Sequence, residues 1–199
     1  KRGKELSFLT LYSLNNRENS FTNTLFEDDM EDILSRLKNI NPSKNEEFTV
    51  QVDYVTPVDQ KGTQIIEYGA KNILRKAYSD FAYFQAQGAN GAFVELEDPT
   101  LSNEFSYDQN VTAGYLSYTL QFLKNYTLKP GLRYEYTTIN ADFKTEFEAE
   151  IPSYGTLVPS LNASRKLKNG NMIKAAYNRR IQRPSLRFLN PNIEASNPQ

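Results

Sequence analysis

Three arginines near the end of the sequence are the side chains best suited to bind a ligand. Arg179, Arg183 and Arg187 recur at intervals of four residues within "NRRIQRPSLRF". A guanidinium group binds phosphate through two parallel hydrogen bonds, so this pattern suggests phosphate binding. The alternative is that the arginines are solvated charges at the end of a strand, since Pro184 cannot donate to a strand ladder.

Residue types that usually carry catalysis are scarce. The chain has no histidine and no cysteine, which excludes a Ser-His-Asp triad, a histidine-bound metal and a thiolate nucleophile from these residues. Glu95 with Glu97 or Asp98 could form a carboxylate pair, but exposed loop charges are the simpler interpretation. "GANGAF" lacks the strand-turn-helix context of a phosphate loop. We therefore expect no enzyme activity, no metal site and no cofactor.

The segment "LFEDDMEDILSRLKNI" (25–40) predicts a short helix. Its apolar residues follow i, i+3, i+4 and i+7 spacing, at Met30, Ile33, Leu34 and Leu37. Acidic residues at its start and basic residues at its end suit the helix dipole. The carboxylates could instead bind calcium, which prefers oxygen ligands, although the glycine of an EF-hand loop is missing.

Most of the remaining chain alternates between apolar and polar residues. In "NYTLKPGLRYEYTTIN" (125–140) one face carries leucine, proline and tyrosine and the other carries threonine, lysine and arginine. This period of two is typical of a strand with one apolar face. The sequence predicts seven strands, at residues 4–13, 48–58, 64–76, 107–122, 126–138, 156–167 and 171–182.

The lengths of the strands and connections favour a membrane barrel. Soluble strands average about 5–6 residues, whereas a tilted membrane strand needs about 9–11. Short connections such as "DQKGT", "LKN" and "KNG" alternate with long ones at 14–47, 77–106 and 139–155. Short periplasmic turns and long extracellular loops are typical of outer-membrane barrels. A soluble two-sheet sandwich would alternate in the same way and is the competing interpretation.

A barrel assigns each strand face to a different environment. We expect Val50, Val52, Ile66, Leu128 and Leu132 to face lipid, whereas Glu67, Lys71, Arg75, Arg133 and Glu135 face the lumen. A polar lumen and aromatic girdles also explain why 13 tyrosines and 12 phenylalanines coexist with a mean hydropathy of −0.63. Aromatic residues in the second long loop could contact a ligand or pack against one another: Tyr78, Phe81, Tyr83, Phe84 and Phe93.

Several stretches resemble TonB-dependent receptor-like outer-membrane β-barrel proteins of bacteroidete-type bacteria. They include "LRYEYT" (132–137), "VPSLNAS" (158–164) and "YNRRIQRPSLRFLNP" (177–191), and the resemblance covers about 48–198. It implies import of a bulky nutrient through a barrel whose N-terminal plug domain is not among these residues. It also implies a TonB-type energising protein and a surface lipoprotein as partners. A structural or assembly barrel at the cell surface is the alternative.

The predicted strand number is odd, whereas single-chain bacterial barrels have an even number of strands. We therefore expect residues 1–199 to be a fragment of one barrel domain in the bacterial outer membrane. In that setting Arg179, Arg183 and Arg187 would meet lipopolysaccharide phosphates just beyond the bilayer core. Nucleic acid is not an expected partner, because the net charge of the chain is −1.

Overall fold

The computed structural model describes residues 3–27, 31–96, 103–143 and 151–182. Eight strands account for most of them. They are β1 (Glu5–Phe26), β2 (Ile33–Pro57), β3 (Gln64–Gln87), β4 (Val94–Glu95), β5 (Asn103–Phe122), β6 (Tyr126–Phe143), β7 (Tyr154–Lys166) and β8 (Met172–Asn178). Among the described residues no helix has the length and apolarity required to cross a membrane.

The strands form one antiparallel sheet in the order β1-β2-β3-β5-β6-β7-β8, with the two-residue β4 paired to β3. Every long strand therefore lies beside its neighbour in sequence. The result is a half-barrel of seven long strands, which confirms the all-β class and the predicted strand number. The described strands form a single sheet, so they do not build the two-sheet sandwich that was the competing interpretation.

The short turns all lie at one end of the sheet. Val58 and Gln64 close the β2–β3 turn through a 2.8 Å backbone hydrogen bond, and Leu167 and Asn171 close the β7–β8 turn in the same way. In the β5–β6 turn, Leu123 and Lys124 both have positive φ, at 50° and 61°. That combination matches the backbone of the type I′ turn that joins tightly paired antiparallel strands.

At the other end the strands run much further than predicted. In the expected loop 14–47, residues 14–26 and 33–47 are strand, because β1 continues to Phe26 and β2 begins at Ile33. Within the expected loop 77–106, β3 continues to Gln87 and β5 begins at Asn103. The loop conformation predicted for most of these residues is therefore wrong, and 139–155 also has strand at both of its ends. The side of the membrane on which they lie stays a prediction.

The predicted helix at 25–40 is also wrong. Residues from Ile33 onward belong to β2, and Leu37 pairs with Asn23 of β1 on one side and with Gln85 of β3 on the other. Hydrogen-bond ladders to β1 and β3 satisfy the backbone N–H and C=O groups of this segment, which a short helix would have to satisfy by itself. A helix of this length has a costly nucleus and no second apolar layer to pack on. Met30 lies outside the described residues.

A side chain of β2 fixes the tip of the β3–β4 hairpin. The Arg36 guanidinium donates to the carbonyl oxygens of Gly88 at 3.1 Å and Gly91 at 2.7 Å. It also lies over the Phe93 ring, with Cζ 5.0 Å from the ring centroid. This part of the predicted loop 77–106 therefore has a defined conformation.

Candidate functional site

The strand register brings the five predicted lumen residues to one face of the sheet. Lys71 of β3 lies opposite Ala113 of β5, which lies opposite Glu135 of β6. Glu67, Arg75 and Arg133 occupy the same face because side chains alternate with period two. The five predicted lipid-facing residues lie on the opposite face: Val50, Val52, Ile66, Leu128 and Leu132. We call the face that carries the predicted lumen residues the inner face, and the face that carries the predicted lipid-facing residues the outer face.

The inner face is shielded although no second layer of described strands covers it. Along β5, Tyr107, Gln109, Val111 and Ala113 are buried, whereas the residues between them are exposed. Glu135 and Thr137 of β6 are likewise buried. In a curved single sheet, side chains on the concave side crowd one another and those on the convex side spread apart. The inner face is therefore the concave side of the half-barrel.

Contacts that skip a strand support this curvature. Gln51 of β2 donates to the Tyr115 hydroxyl of β5 at 3.2 Å, across the intervening strand β3. The Gln51–Tyr115 hydrogen bond passes over Gly69 of β3, where an added Cβ would lie 2.5 Å from the Tyr115 hydroxyl. Lys129 of β6 likewise reaches Glu67 of β3 at 2.5 Å, across β5.

Several of the charged inner-face residues are paired with a residue of opposite charge. Arg75 contacts Glu47 at 2.6 Å and donates to the Gln109 side-chain oxygen at 3.1 Å. Glu67 accepts hydrogen bonds from Lys129 and, at 3.1 Å, from the Ser117 hydroxyl.

Two further inner-face cations differ in their pairing. Arg133 contacts Glu135 at 2.6 Å. Lys71, in contrast, makes no ion pair with the described residues. The inner face therefore combines several ion pairs with basic groups such as Lys71 that can bind an anion.

A cavity of about 520 Å³ opens on the inner face beside β7 and β8. The side chains around it are mostly basic, hydroxyl or amide groups: Lys129, Arg133, Arg180, Tyr115, Ser117, Ser160 and Asn178. Gly131 belongs to the same lining, and a Cβ at that position would lie 2.6 Å from the Ser160 hydroxyl. Ligand sites typically range from about 300 to 1,000 Å³ and hold a few convergent polar groups.

The outer face has an apolar band of limited height. In each long strand an outer-face stretch of five to nine residues is mainly aliphatic or aromatic: 6–14, 48–54, 66–74, 112–120, 128–136, 157–163 and 173–177. Phe8, Leu116 and Tyr134 are all more than half exposed. Further from the turns the same face becomes polar, with Lys76 and Asp108 paired across strands. The longer stretches approach the length that crosses a bilayer.

One polar cluster interrupts the apolar band. The Asn72 amide donates to the Asn110 side-chain oxygen at 2.7 Å and to the Thr112 hydroxyl at 2.9 Å. Both partners lie on β5, next to the strand β3 that carries Asn72, at the border of the band away from the turns, and they satisfy both amide hydrogens without water.

The aromatic residues predicted to contact a ligand do not form one platform. Phe81 and Tyr83 lie on the inner face, where Tyr83 meets Phe21 edge to face at 6.4 Å. Tyr78 and Phe84 lie on the outer face, and Phe93 packs under Arg36. Tyr83 is only 3% exposed, so of the inner pair a ligand contact stays a prediction for Phe81 alone.

Arg179 is the one predicted phosphate-binding arginine that lies within the described residues. It is exposed beside the end of β8, and its guanidinium donates to the Leu157 carbonyl oxygen at 3.3 Å. Arg183 and Arg187 lie outside the described residues, as do Glu97 and Asp98. The described residues contain no group of three acidic side chains placed to hold a metal ion.

The lumen residues named from the sequence did not include Glu47, Gln51, Gln109 and Lys129, which the structure also places on the inner face. Each occupies a polar position in a strand whose period was recognised, so the alternation could have identified them. Their partners could not be identified, because the register that joins Lys129 to Glu67 across a third strand leaves no local pattern.

Comparison with known proteins gives a family and a solved structure of limited similarity. The protein-family model described as "Outer membrane protein beta-barrel family" matches residues 1–199. The crystal structure of the ferric citrate transporter FecA in its unliganded form is similar over 79% of this chain, with 12% identity and a TM-score of 0.41. The chain spans 26% of the length of that transporter. No curated protein matches the chain.

Proposed function

Because the chain belongs to the outer membrane protein beta-barrel family, we propose that it forms part of a TonB-dependent receptor that imports a bulky nutrient through its barrel. The protein lies in the bacterial outer membrane. The proposal extends to the bacteroidete type, on the strength of the "LRYEYT", "VPSLNAS" and "YNRRIQRPSLRFLNP" stretches. Its partners would then be a plug domain, a TonB-type energising protein and a surface lipoprotein.

The observation that carries the proposal is the polar inner face. At the height where the outer face is apolar, the inner face presents charged side chains and an open cavity of about 520 Å³. A wet lumen avoids the cost of burying charged groups such as Lys71, because they keep access to water and to a passing solute. No enzymatic step is part of this function.

Growth of a deletion strain on a panel of single nutrients tests the transport function. We expect loss of growth on one nutrient class, and we expect depletion of the TonB-type protein to reproduce it. Restoration by the complete wild-type protein but poor restoration by a Lys71→Glu variant at equal surface level would support a role for the inner face. Unchanged uptake of every nutrient would refute transport.

A second function is supported by the strands that extend beyond the apolar band. β2 is 25 residues long, and only its stretch 48–54 lies in the band. Projecting strands of this kind could hold a partner at the cell surface, which would make the barrel a structural or assembly component. Loss of a surface complex in the deletion strain, with nutrient uptake unchanged, would favour this function.

We also propose that Arg179, with Arg183 and Arg187, contacts lipopolysaccharide phosphate. The support is the exposed position of Arg179 next to Tyr177, which is 61% exposed on the outer face. A charge is tolerated there because the cost of a basic residue falls to about 0–1 kcal/mol near the membrane interface. Replacing the three arginines with glutamine should lower the amount of lipopolysaccharide that copurifies with the complete protein.

A further inference from the structure

The short turns form one continuous edge of the sheet. The Gln121 amide donates to the Thr63 carbonyl oxygen at 2.8 Å, which joins the β2–β3 turn to the end of β5. The Lys166 amide donates to the Asn125 carbonyl oxygen at 2.8 Å, which joins the β5–β6 turn to the end of β7. The side chains of these turns therefore lie next to one another on one continuous surface.

That edge carries a cluster of positive charge. Its basic residues, which we call the basic rim, are all exposed: Lys61, Lys124, Arg165, Lys166 and Lys168. Within 58–63, 123–125 and 165–171 the only acidic residue is Asp59. Its two carboxylate oxygens accept hydrogen bonds from the Thr63 hydroxyl at 2.6 Å and the Gln64 amide at 2.8 Å. The stretches of sequence that join β1 to β2, β4 to β5 and β6 to β7, at 27–32, 96–102 and 144–153, carry ten acidic residues and one basic residue.

Apolar and aromatic groups accompany the basic rim. The Arg165 guanidinium lies over the Tyr126 ring at 5.1 Å, and Tyr126 stacks on Phe122 at 5.4 Å. Leu123 is 78% exposed at the tip of its turn. Its φ of 50° is a conformation that bulky residues rarely adopt, and asparagine or glycine would fit it better. An exposed leucine in a strained turn is unfavourable in water and favourable in the interfacial zone of a bilayer.

The basic rim also borders the apolar band directly. Tyr126 and Arg165 pair with each other, and two residues further along each strand the outer face continues with Leu128 and Ala163. A soluble acidic partner could meet the charges, but it would not explain aromatic residues and an exposed leucine at the edge of a lipid-facing surface. Tyrosine enrichment at the membrane interface is the expected pattern.

We propose that the basic rim binds the phosphate headgroups of anionic phospholipids in the leaflet on the turn side of the barrel. Lysine and arginine side chains extend past the aromatic girdle to the phosphates, while Phe122 and Leu123 enter the acyl boundary. Basic residues close to an anionic membrane surface attract its lipids, and the attraction falls off within a Debye length. The proposal does not depend on what the barrel transports.

A tryptophan placed at the rim reports on the neighbouring lipids, because this chain contains no tryptophan of its own. The complete protein carrying Phe122→Trp, with any tryptophan outside this chain replaced by phenylalanine, is reconstituted into vesicles of phosphatidylcholine and phosphatidylglycerol. Either lipid is brominated in turn, and quenching of the introduced indole fluorescence measures which lipid lies beside the rim. We expect brominated phosphatidylglycerol to quench several-fold more than its bulk fraction predicts, and we expect the excess to decline in high salt.

Two charge-matched variants, each made in the Phe122→Trp protein, separate the rim from general charge effects. Lys124→Gln with Lys166→Gln and Lys168→Gln should abolish the preference. Lys38→Gln with Lys44→Gln and Lys76→Gln removes three lysines from the outer face at the opposite end and should leave the preference unchanged. Equal quenching by the two brominated lipids when all the rim lysines are present, or an unchanged preference in the first variant, would overturn the proposal. So would binding of a soluble acidic protein without any lipid preference.

Discussion

Leu132 and Arg133 are neighbours on β6 but meet opposite surroundings. Leu132 is 47% exposed on the outer face, beside Leu116 of β5 and within the apolar band. Arg133 lies on the inner face and contacts Glu135 at 2.6 Å. The same contrast is repeated along each long strand near the turns. Near the turns the aliphatic side chains therefore lie mainly on the outer face and the charged side chains on the shielded inner face. The buried hydrophobic cluster of Ala77, Phe105 and Tyr107 lies on the inner face further from the turns.

The contrast reverses the usual arrangement of a soluble sheet, in which the apolar face is buried. Lipid provides the apolar phase here, so aliphatic side chains gain nothing from turning inward. Backbone groups must still be satisfied within the sheet, which explains why the ladders continue without interruption across the apolar band. The inner face is free to carry charges because it keeps access to water and to paired groups.

Exchanging the chemistry of the two faces should have the largest effect. Leu132→Arg places a charge in the apolar band and should destabilise the folded protein in vesicles by about 2–4 kcal/mol. Arg133→Leu is the matched control, and it should cost less than Leu132→Arg because it places no charge against lipid. Urea titration of the complete protein in lipid vesicles measures both. Similar losses for the two variants would contradict the difference between the faces.

Packing on the outer face depends on one glycine. Tyr134 of β6 lies over Gly155 of β7, and a Cβ at residue 155 would lie 2.8 Å from the ring carbon Cζ. Gly155→Ala should therefore displace the ring and cost about 0.5–1 kcal/mol, the value of a cross-strand pair. Gly114→Ala, also on the outer face, meets no atom within 4 Å and serves as the control. A neutral Gly155→Ala variant would show that the Tyr134 contact is not a stabilising one.

The ion pair that crosses β5 should contribute less. Glu67 and Lys129 are 32% and 38% exposed, so solvent screening limits their coupling to below about 1 kcal/mol. A double-mutant cycle with Glu67→Gln and Lys129→Gln measures this coupling in vesicles. Glu46→Gln and Lys44→Gln provide a comparison pair beyond the apolar band. A coupling of several kcal/mol would mean that the inner face is dry.

The smallest expected effect is in the β2–β3 turn. The Thr63 hydroxyl, and then the Gln64 amide, hold the pKa of Asp59 below its ordinary value of 3.8. The stabilisation from these bonds is present above the unfolded pKa and is lost as the pH falls through the lower folded pKa. Thr63→Ala should move the pKa of Asp59 back toward 3.8, as measured by NMR titration of the Gln64 amide. An unchanged pKa would exclude the hydroxyl as the main cause.

The sequence predicted one end of each strand well and the other end poorly. At the turn end of the sheet, β3 begins at Gln64 and β6 begins at Tyr126, as predicted, because turn residues and the start of the apolar period mark these positions. The far ends were placed more than ten residues too early for β1 and β3. The apolar period stops where the membrane contact stops, whereas strand pairing continues through polar residues such as Asn16 and Lys76.

The faces could be predicted, but the contacts could not. The alternation of apolar and polar residues with a period of two is sufficient to place Glu67 and Leu132 on opposite faces. The pairing of Glu67 with Lys129, and the passage of Tyr115 over Gly69, depend on register and curvature, which are properties of the whole sheet. The helix predicted at 25–40 failed for the same reason, since the pairing of β2 with two neighbours overrides a local spacing of four apolar residues.

The most direct test of the two faces is a spin-label scan along β6. This chain has no cysteine, so single cysteines can be introduced from Leu128 to Tyr134 in the complete protein and labelled in vesicles. Collision with oxygen reports lipid, and collision with a water-soluble nickel chelate reports water. We predict oxygen maxima at 128, 130, 132 and 134, with nickel maxima at 129, 131 and 133. Maxima of both reagents at the same positions, or oxygen maxima at 129, 131 and 133, would contradict the assignment of the outer face to lipid.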